Sequence, residues 1–299
     1  MHPFYSIIVV CLNPGDKLKE TLESIEKQNF RDFEVIVKDG GSKDGSLKYA
    51  EGFEKSWHQE RMEKEGKAAS GTIRSIRIVQ KKDTGIYDAM NQAVEEATGR
   101  YVYFLNCGDR FYSEDVLGQM ADFIMANENT DTLGIFYGNI FERLTGQQVT
   151  SNPHIDAFGC YRNVPCHQAC FYDRKLLLDH PFKTIYQVRA DYEQFLWCFF
   201  KGPGKGSGSD DCESSVAFQY KELLIVDYEG GGFSETKENR KISRKEHKEI
   251  TQKYIPGKQL FKFKLIMWIT LSPLRTRLAE NEKTAGVYNR LKKLLYLGK

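Results

Sequence analysis

Residues 101–109 read YVYFLNCGD, an apolar run that ends in a polar turn. The run 101–105 is short and rich in β-forming types, so it predicts a strand that is buried on both faces. The turn begins at Asn106 and ends at Asp109. In an open parallel sheet, ligands bind in the crevice outside the carboxyl ends of the strands. Asp109 is therefore a candidate ligand-binding carboxylate, although an acid here also serves as an ordinary turn or cap residue.

The same order of strand, polar loop and helix occurs repeatedly earlier in the chain. Apolar runs at residues 4–12, 33–38 and 76–80 predict strands, and each is followed by apolar residues at helical spacing. Asp16 suits the N-cap of the first helix, and Gly99 suits the C-cap of the third. This alternation indicates an α/β fold with a mostly parallel sheet flanked by helices.

Each predicted strand ends in a loop that contains acidic residues, Asn or Gly. These loops are residues 13–16, 39–44, 83–85 and 106–109. Because parallel strands end at the same edge of a sheet, the loops converge on one site. None of them is a GxGxxG or GxxxxGK[ST] motif, which disfavours a dinucleotide oxidoreductase and a P-loop NTPase. Carboxylates at a nucleotide site bind ribose hydroxyls or a base edge, or hold a divalent cation on phosphates.

Charge is distributed unevenly along the chain. The 299 residues carry a net charge of +2 and are 40% hydrophobic, enough for one large domain with an appendage or for two domains. Residues 236–299 hold 17 Lys and Arg against 5 Asp and Glu, whereas residues 1–235 hold 26 against 36. We therefore expect an acidic sheet domain over residues 1–235 and a basic amphipathic helical tail over residues 236–299.

A series of motifs resembles the family 2 glycosyltransferases with the GT-A fold. The motifs are SIIVVCLN (6–13), VIVKDGGSKDGS (35–46), KDTGIYDAMNQAVEEATGRYVYFLNCGD (82–109), CHQACFY (166–172) and ADYEQFLW (190–197). The resemblance covers about residues 4–232. It implies a nucleotide-sugar half to about residue 110 and an acceptor half over about 111–235. It also implies inverting transfer of a sugar from a nucleotide-sugar donor, usually UDP-linked, to a hydroxyl acceptor.

The resemblance assigns roles to the acids at the strand ends. It implies that Asp39 contacts the uridine, that Asp83 lies close to the base, and that Asp109 binds Mg²⁺ or Mn²⁺ on the diphosphate. This chain has Asn106 where the family has the first Asp of its DxD turn. An Asn oxygen still binds a metal, but one charge is lost, which bears on the affinity for the metal and on its identity. We also assign Leu12, at the end of the first strand, to the nucleotide-sugar site.

Inversion at the anomeric carbon needs a base on the face opposite the leaving diphosphate. The family supplies this base from an ED-type motif at the start of a helix, and Asp191 occupies that place here, after Ala190 in place of an acid. Asp191 also suits the N-cap of helix 192–200, and the two roles are compatible. Glu193 is the second choice for the base, and we assign it with His167 to the acceptor or the diphosphate. A lone His is more often a satisfied structural residue.

The basic tail contains two apolar segments. Residues 260–271 (LFKFKLIMWITL) are too few to span a bilayer, and residues 287–297 form a second basic amphipathic segment. Basic helices with Trp, Phe and Leu on one face bind anionic lipid surfaces. We therefore expect peripheral contact with an anionic membrane, which suits a lipid-linked acceptor. The alternative is packing on the sheet domain or on a second subunit, as in a homodimer. Nucleic acid is disfavoured because the aromatic residues cluster with aliphatic ones.

The seven cysteines include no CxxC pair, and residues 1–12 lack the features of a signal peptide, so we expect a reduced, cytoplasmic compartment. The sequence thus predicts a metal-dependent inverting glycosyltransferase on the inner face of a bacterial membrane, active in surface polysaccharide biosynthesis. One alternative is a nucleotidyltransferase on a similar sheet, for which Lys43 and Lys82 supply little basic charge. Another is a non-catalytic nucleotide-sugar-binding subunit, suggested by Asn106 and Ala190.

Overall fold

The computed structural model describes residues 2–65, 74–129, 131–203, 216–231 and 236–270. The chain divides into two compact units, Met1–Ile250 and Thr251–Lys299. The unit that contains the sheet therefore extends beyond residue 235, where the basic part of the sequence begins.

Strands and helices alternate in the first part of the described chain. The strands are β1 (Tyr5–Cys11), β2 (Phe33–Asp39), β3 (Arg74–Gln80), β4 (Tyr101–Phe104), β5 (Arg110–Phe111), β6 (Leu133–Glu142), β7 (Gln147–Val149), β8 (Cys170–Asp173) and β9 (Val216–Tyr228). The helices are α1 (Lys17–Glu26), α2 (Leu47–Glu65), α3 (Ile86–Glu96), α4 (Val116–Asn127), α5 (Ala157–Arg162), α6 (Arg174–Asp179), α7 (Ala190–Phe200), α8 (Lys237–Tyr254) and α9 (Gly257–Ile269). A 3-10 helix, His167–Ala169, precedes β8.

The strands of the first half form a parallel sheet in the order β3-β2-β1-β4. Cys11, Asp39 and Gln80 are register partners, so β1, β2 and β3 end at the same level. This arrangement confirms the α/β fold and the shared edge that the sequence predicts. The sheet continues through β8, β6, β9 and β5, and β8 runs antiparallel to both β4 and β6.

Strand β4 lies in the middle of the sheet and is buried along its whole length. The ring of Tyr103 stacks on Phe171 and Phe111, with ring centroids 4.5 and 5.2 Å apart. Its hydroxyl donates a hydrogen bond to the carbonyl oxygen of Gln168, at 2.6 Å. Burial of rings of this size stabilises the fold by about 1.5–3 kcal/mol each. The strand that leads into the polar turn at residues 106–109 is therefore held in place by aromatic packing.

Two predicted helix caps act differently in the structure. Asp16 occupies the N-cap position of α1, but its side chain accepts a hydrogen bond from the Tyr49 hydroxyl and none from the helix amides. The C-cap of α3 is Ala97, so the prediction that Gly99 caps this helix was wrong. Gly99 is required for another reason. A Cβ atom at this position would lie 2.6 Å from the backbone nitrogen of Ser6.

We predict that Gly99→Ala destabilises the protein by about 3 kcal/mol, because the added methyl group would overlap the backbone of β1. Urea denaturation followed by tryptophan fluorescence measures the free energy of unfolding. Gly52→Ala is the matched control, since Gly52 lies in α2 with no atom within 4 Å of an added Cβ. In an exposed helix this change is stabilising by about 1 kcal/mol. Equal stability of the two variants would contradict the proposed overlap.

Candidate active site

The loops after β1 and β2 are joined by hydrogen bonds at the carboxyl edge of the sheet. The Asn13 amide donates to the Ser42 hydroxyl at 2.7 Å, and the Lys43 amide donates to the Asn13 side-chain oxygen at 2.9 Å. The Gly15 amide donates to Asp44 at 2.8 Å. The two loops therefore form one connected surface. Leu12 begins the first of them and leaves 62% of its surface exposed at this edge.

Asp39 is fully buried at the end of β2. Its carboxylate accepts hydrogen bonds from the amides of Gly41 and Ser42, each at 3.0 Å. The charge of Asp39 therefore holds its own loop in shape. The structure places this residue at the predicted edge, beneath the loop surface.

Asp83, in the loop after β3, forms an ion pair with a lysine that the sequence analysis missed. The Lys38 ammonium group has no exposed surface and lies 2.8 Å from an Asp83 carboxylate oxygen. It also donates to the carbonyl oxygen of Lys81 at 2.6 Å. A Cβ atom on Gly40 would lie 2.8 Å from the same Asp83 oxygen. The lysine in the otherwise apolar strand β2 was the available signal, because a buried lysine needs a charged partner.

Asp109 lies at the end of the turn after β4 and is 3% exposed. One carboxylate oxygen accepts a hydrogen bond from the Glu229 amide at 2.9 Å, and the other faces the Gln168 side-chain nitrogen at 3.4 Å. Burial raises the pKa of Asp109 to about 6, in spite of these hydrogen bonds. The side-chain oxygen of Asn106 is buried without a hydrogen-bond partner. Two oxygen acceptors in one turn thus remain poorly compensated by the protein.

These acceptors fit a divalent cation whose other ligands are phosphate oxygens and water. Mg²⁺ is usually held by one or two carboxylates together with substrate phosphates and water. Among the described residues, no group of three or more His, Cys, Asp or Glu side chains is arranged to hold a metal alone. The carboxylate of Asp109 and the free oxygen of Asn106 are suitable donors for such a shared site.

Asp191 lies in the first turn of α7, which begins at Ala190. The N-cap residue is Arg189, so the prediction that Asp191 caps this helix was wrong. One carboxylate oxygen accepts from the Tyr87 hydroxyl at 2.9 Å, and the other lies 3.3 Å from Nδ1 of His167. Burial acts to raise the pKa of Asp191, but His167 and Tyr87 outweigh it and hold the pKa below its usual value. Its side chain keeps 26% of its surface exposed, so an ionised carboxylate is accessible here.

His167 lies beside Asp191 and within electrostatic range of Asp109. Its Nδ1 faces Asp191, and its Nε2 is buried without a hydrogen-bond partner. A positive charge on the ring acts to lower the pKa of Asp109 as well as that of Asp191. The structure therefore brings His167, Asp191 and Asp109 into one electrostatically coupled group. Tyr87, in the IYDAMN stretch of α3, is a member of this group that the sequence analysis missed.

Glu193 does not reach this group. It is fully buried, and its carboxylate lies 2.9 Å from Nε2 of His180. The His180 ring stacks on Trp197, with centroids 4.5 Å apart. Positions two apart on a helix point in nearly opposite directions, which explains why Asp191 and Glu193 face different surroundings. The structure thus gives Glu193 a contact inside the protein and leaves Asp191 at the cleft.

Known proteins are similar to this chain in sequence and in fold. The Glycosyl transferase family 2 model matches residues 6–179. A PGL/p-HBAD biosynthesis glycosyltransferase of Mycobacterium bovis (strain BCG / Pasteur 1173P2) is 32% identical over 236 residues, which are 78% of this chain and 80% of that protein. An uncharacterized glycosyltransferase of Mycobacterium tuberculosis (strain ATCC 25618 / H37Rv) is 30% identical over 199 residues, or 65% and 68% of the two chains.

Among solved structures, S. aureus TarS has a similar fold, with a TM-score of 0.53 at 18% identity over 77% of this chain. The chain spans 37% of that TarS chain. The structure of TarS 1-349 in complex with UDP-GlcNAc gives a TM-score of 0.52 at 17% identity, covering 82% of this chain and 65% of TarS 1-349. This likeness concerns the fold and confirms the GT-A architecture. By its family match and its sequence relatives, the chain belongs to glycosyl transferase family 2.

Proposed function

We propose that this chain transfers a sugar, with inversion, from a UDP-linked donor to a hydroxyl of a glycan or lipid-linked acceptor in surface polysaccharide biosynthesis. The observation that carries the proposal is the contrast between two acids. Asp109 is buried with a raised pKa, and Asp191 is accessible with a lowered pKa. Acids whose pKa values are pushed apart are typical of sites where they have different roles. The solved complexes of TarS 1-349 with UDP and with UDP-GlcNAc support a UDP-linked donor.

In this proposal, Asp109 and the side-chain oxygen of Asn106 would hold Mg²⁺ or Mn²⁺ beside the donor diphosphate. The bound cation would offset the negative charge of the leaving diphosphate. The Glu229 amide and the Gln168 side chain orient the Asp109 carboxylate through their hydrogen bonds. The unpartnered oxygen of Asn106 supports this assignment, because a buried acceptor without a donor is costly.

Asp191 acts as the base. It takes the proton of the acceptor hydroxyl while that oxygen bonds to the anomeric carbon and the bond from this carbon to the diphosphate breaks. The hydroxyl of Tyr87 and the ring of His167 keep Asp191 ionised and fix its orientation. His167 lies within electrostatic reach of both acids, which supports a position beside the acceptor or the diphosphate.

The nucleotide is assigned to the loops after β1, β2 and β3. The Lys38–Asp83 pair fixes the Asp83 carboxylate, whose second oxygen faces the Gly85 amide at 3.3 Å. Asp83 and the exposed Leu12 are the proposed contacts for the base. Asp39 contributes through the loop that it holds, and a contact with the uridine would require one of its oxygens to accept a further hydrogen bond.

We predict that Asp109→Asn weakens Mn²⁺-dependent binding of UDP about 100-fold, because the neutral amide removes the charge that attracts the cation. Isothermal calorimetry at pH 8 tests this, since a carboxyl group with a pKa of about 6 is ionised there. Asp131→Asn is the control, because this side chain is exposed in a turn outside the candidate site. Undiminished Mn²⁺-dependent binding by Asp109→Asn would refute the metal assignment. Failure of the unmodified protein to bind UDP would refute the uridine assignment.

We predict that Asp191→Asn lowers kcat by about 10²–10⁴-fold, the range typical of a lost general base, and leaves UDP affinity unchanged. Release of UDP from a UDP-sugar measures turnover, and calorimetry measures affinity. Asp179→Asn is the control, since this acid pairs with Lys175 on the surface of α6. Release of pyrophosphate would favour a nucleotidyltransferase. Donor binding without turnover by the unmodified protein would favour a non-catalytic subunit.

We further propose that the tail binds an anionic membrane surface through α9. Phe261, Leu265 and Trp268 lie on one side of this helix at helical spacing, and they are 71%, 44% and 72% exposed. Three exposed lysines, Lys258, Lys262 and Lys264, accompany them. Among the described residues, no helix has the length and apolarity needed to cross a bilayer. The second predicted segment, 287–297, lies outside the described residues.

We predict that the double variant Phe261→Ser, Trp268→Ser binds vesicles containing phosphatidylglycerol at least about tenfold more weakly, because two large apolar side chains no longer enter the interface. Co-sedimentation with vesicles measures the binding. Ile185→Ser is the control, because Ile185 is 77% exposed and lies in the unit that contains the sheet. Equal binding of the unmodified protein to neutral and anionic vesicles would contradict the proposal, and dimerisation through this face would then be tested by analytical ultracentrifugation.

A further inference from the structure

The loop that leads into α7 is bound by a single carboxylate from α8. Glu246 accepts hydrogen bonds from three successive backbone amides, those of Gln187 at 2.7 Å, Val188 at 3.1 Å and Arg189 at 2.9 Å. Glu246 is only 6% exposed, so its charge is compensated by these amides instead of by water. Hydrogen bonds to an ionised acceptor are stronger than bonds between neutral groups. The carboxylate therefore fixes the backbone of residues 187–189.

A second contact joins the same two segments. The Nε atom of Arg189 donates to the hydroxyl of Ser243 at 2.8 Å, one turn of α8 before Glu246. Arg189 is thus held through both its backbone and its side chain. Because Arg189 is the N-cap residue of α7, these contacts determine where the helix starts and how its first turn is oriented.

The fixed backbone is directly connected to the group around Asp191. The hydroxyl of Tyr87 lies 2.8 Å from the carbonyl oxygen of Val188 and 2.9 Å from the carboxylate of Asp191. A hydroxyl has one hydrogen, so Val188 and Asp191 share or compete for it. Any movement of Val188 therefore changes how strongly Tyr87 binds Asp191.

We propose that Glu246 is a positioning residue for sugar transfer, which holds Asp191 in place through the backbone of residues 187–189. The inference rests on the proposed role of Asp191 as the base. It assigns a function in the reaction to α8, a helix that lies in the part of the sequence with the composition of a basic tail. Glu246 itself does not touch the reacting atoms.

Glu246→Gln tests the proposal, because the amide keeps the shape of the side chain but turns an NH₂ group toward one of the backbone amides. We expect kcat for transfer to fall at least tenfold while the Kd for UDP stays within twofold. Hydrogen exchange at residues 187–189 should become faster, with no change in the amides of β2. Glu249→Gln is the matched control, since Glu249 is exposed on the same helix, and it should behave like the unmodified protein.

Two outcomes would overturn the proposal. One is a kcat within twofold of the unmodified protein in spite of faster exchange at residues 187–189. The other is a parallel loss of turnover, UDP affinity and protection in β2, which would indicate a general structural role. If Glu246→Gln does not fold, Glu246→Asp keeps the charge but shortens the reach, and the same measurements decide. The proposed function fails separately, if the unmodified protein transfers no sugar or Asp191→Asn retains full turnover.

Discussion

A carboxylate buried at the end of a β-strand must have its charge compensated, and this requirement organises the carboxyl edge of the sheet. Asp39 is compensated by the amides of its own loop, and Asp83 is compensated by Lys38. The two solutions are linked, because Gly40 leaves room for the Asp83 carboxylate. The loops that face the cleft are therefore shaped by buried charges. Their surfaces remain free to contact a ligand.

Asp109 departs from this rule, because the protein compensates its charge only in part. Its hydrogen bonds are too few to offset burial, so its pKa is raised to about 6 and its ionised form is less stable than it would be in water. Asp191 has two donors and a lowered pKa. A cation bound at Asp109 would compensate its carboxylate charge, as Tyr87 and His167 do for Asp191. The site thus contains one acid whose charge is only partly compensated and one whose charge is compensated by two donors.

The parallel sheet and its acidic edge were predictable from the sequence, because strand runs and the loops after them are local patterns. Lys38 and Tyr87 were not assigned, since their partners lie 45 and 104 residues away in the chain. The predicted role of Gly99 was wrong for a similar reason, because the backbone that Gly99 approaches belongs to β1, which is distant in sequence. Glu193 shows a different limit. It is close to Asp191 in sequence, but the helix turns it toward His180.

The packing of α8 could not be predicted from the basic composition of the segment that contains it. Residues 236–299 are strongly basic, with 17 basic residues against 5 acidic ones, and this favours a solvated or lipid-facing segment. Glu246 is nevertheless buried. Burial of an acidic side chain is unfavourable unless hydrogen-bond donors compensate its charge. The three amides of residues 187–189 are those donors. The change in charge along this sequence therefore describes the solvent-exposed surface of the segment. A buried residue of the opposite charge, here Glu246, shows that this part of α8 belongs to the same folded unit as the loop at residues 187–189.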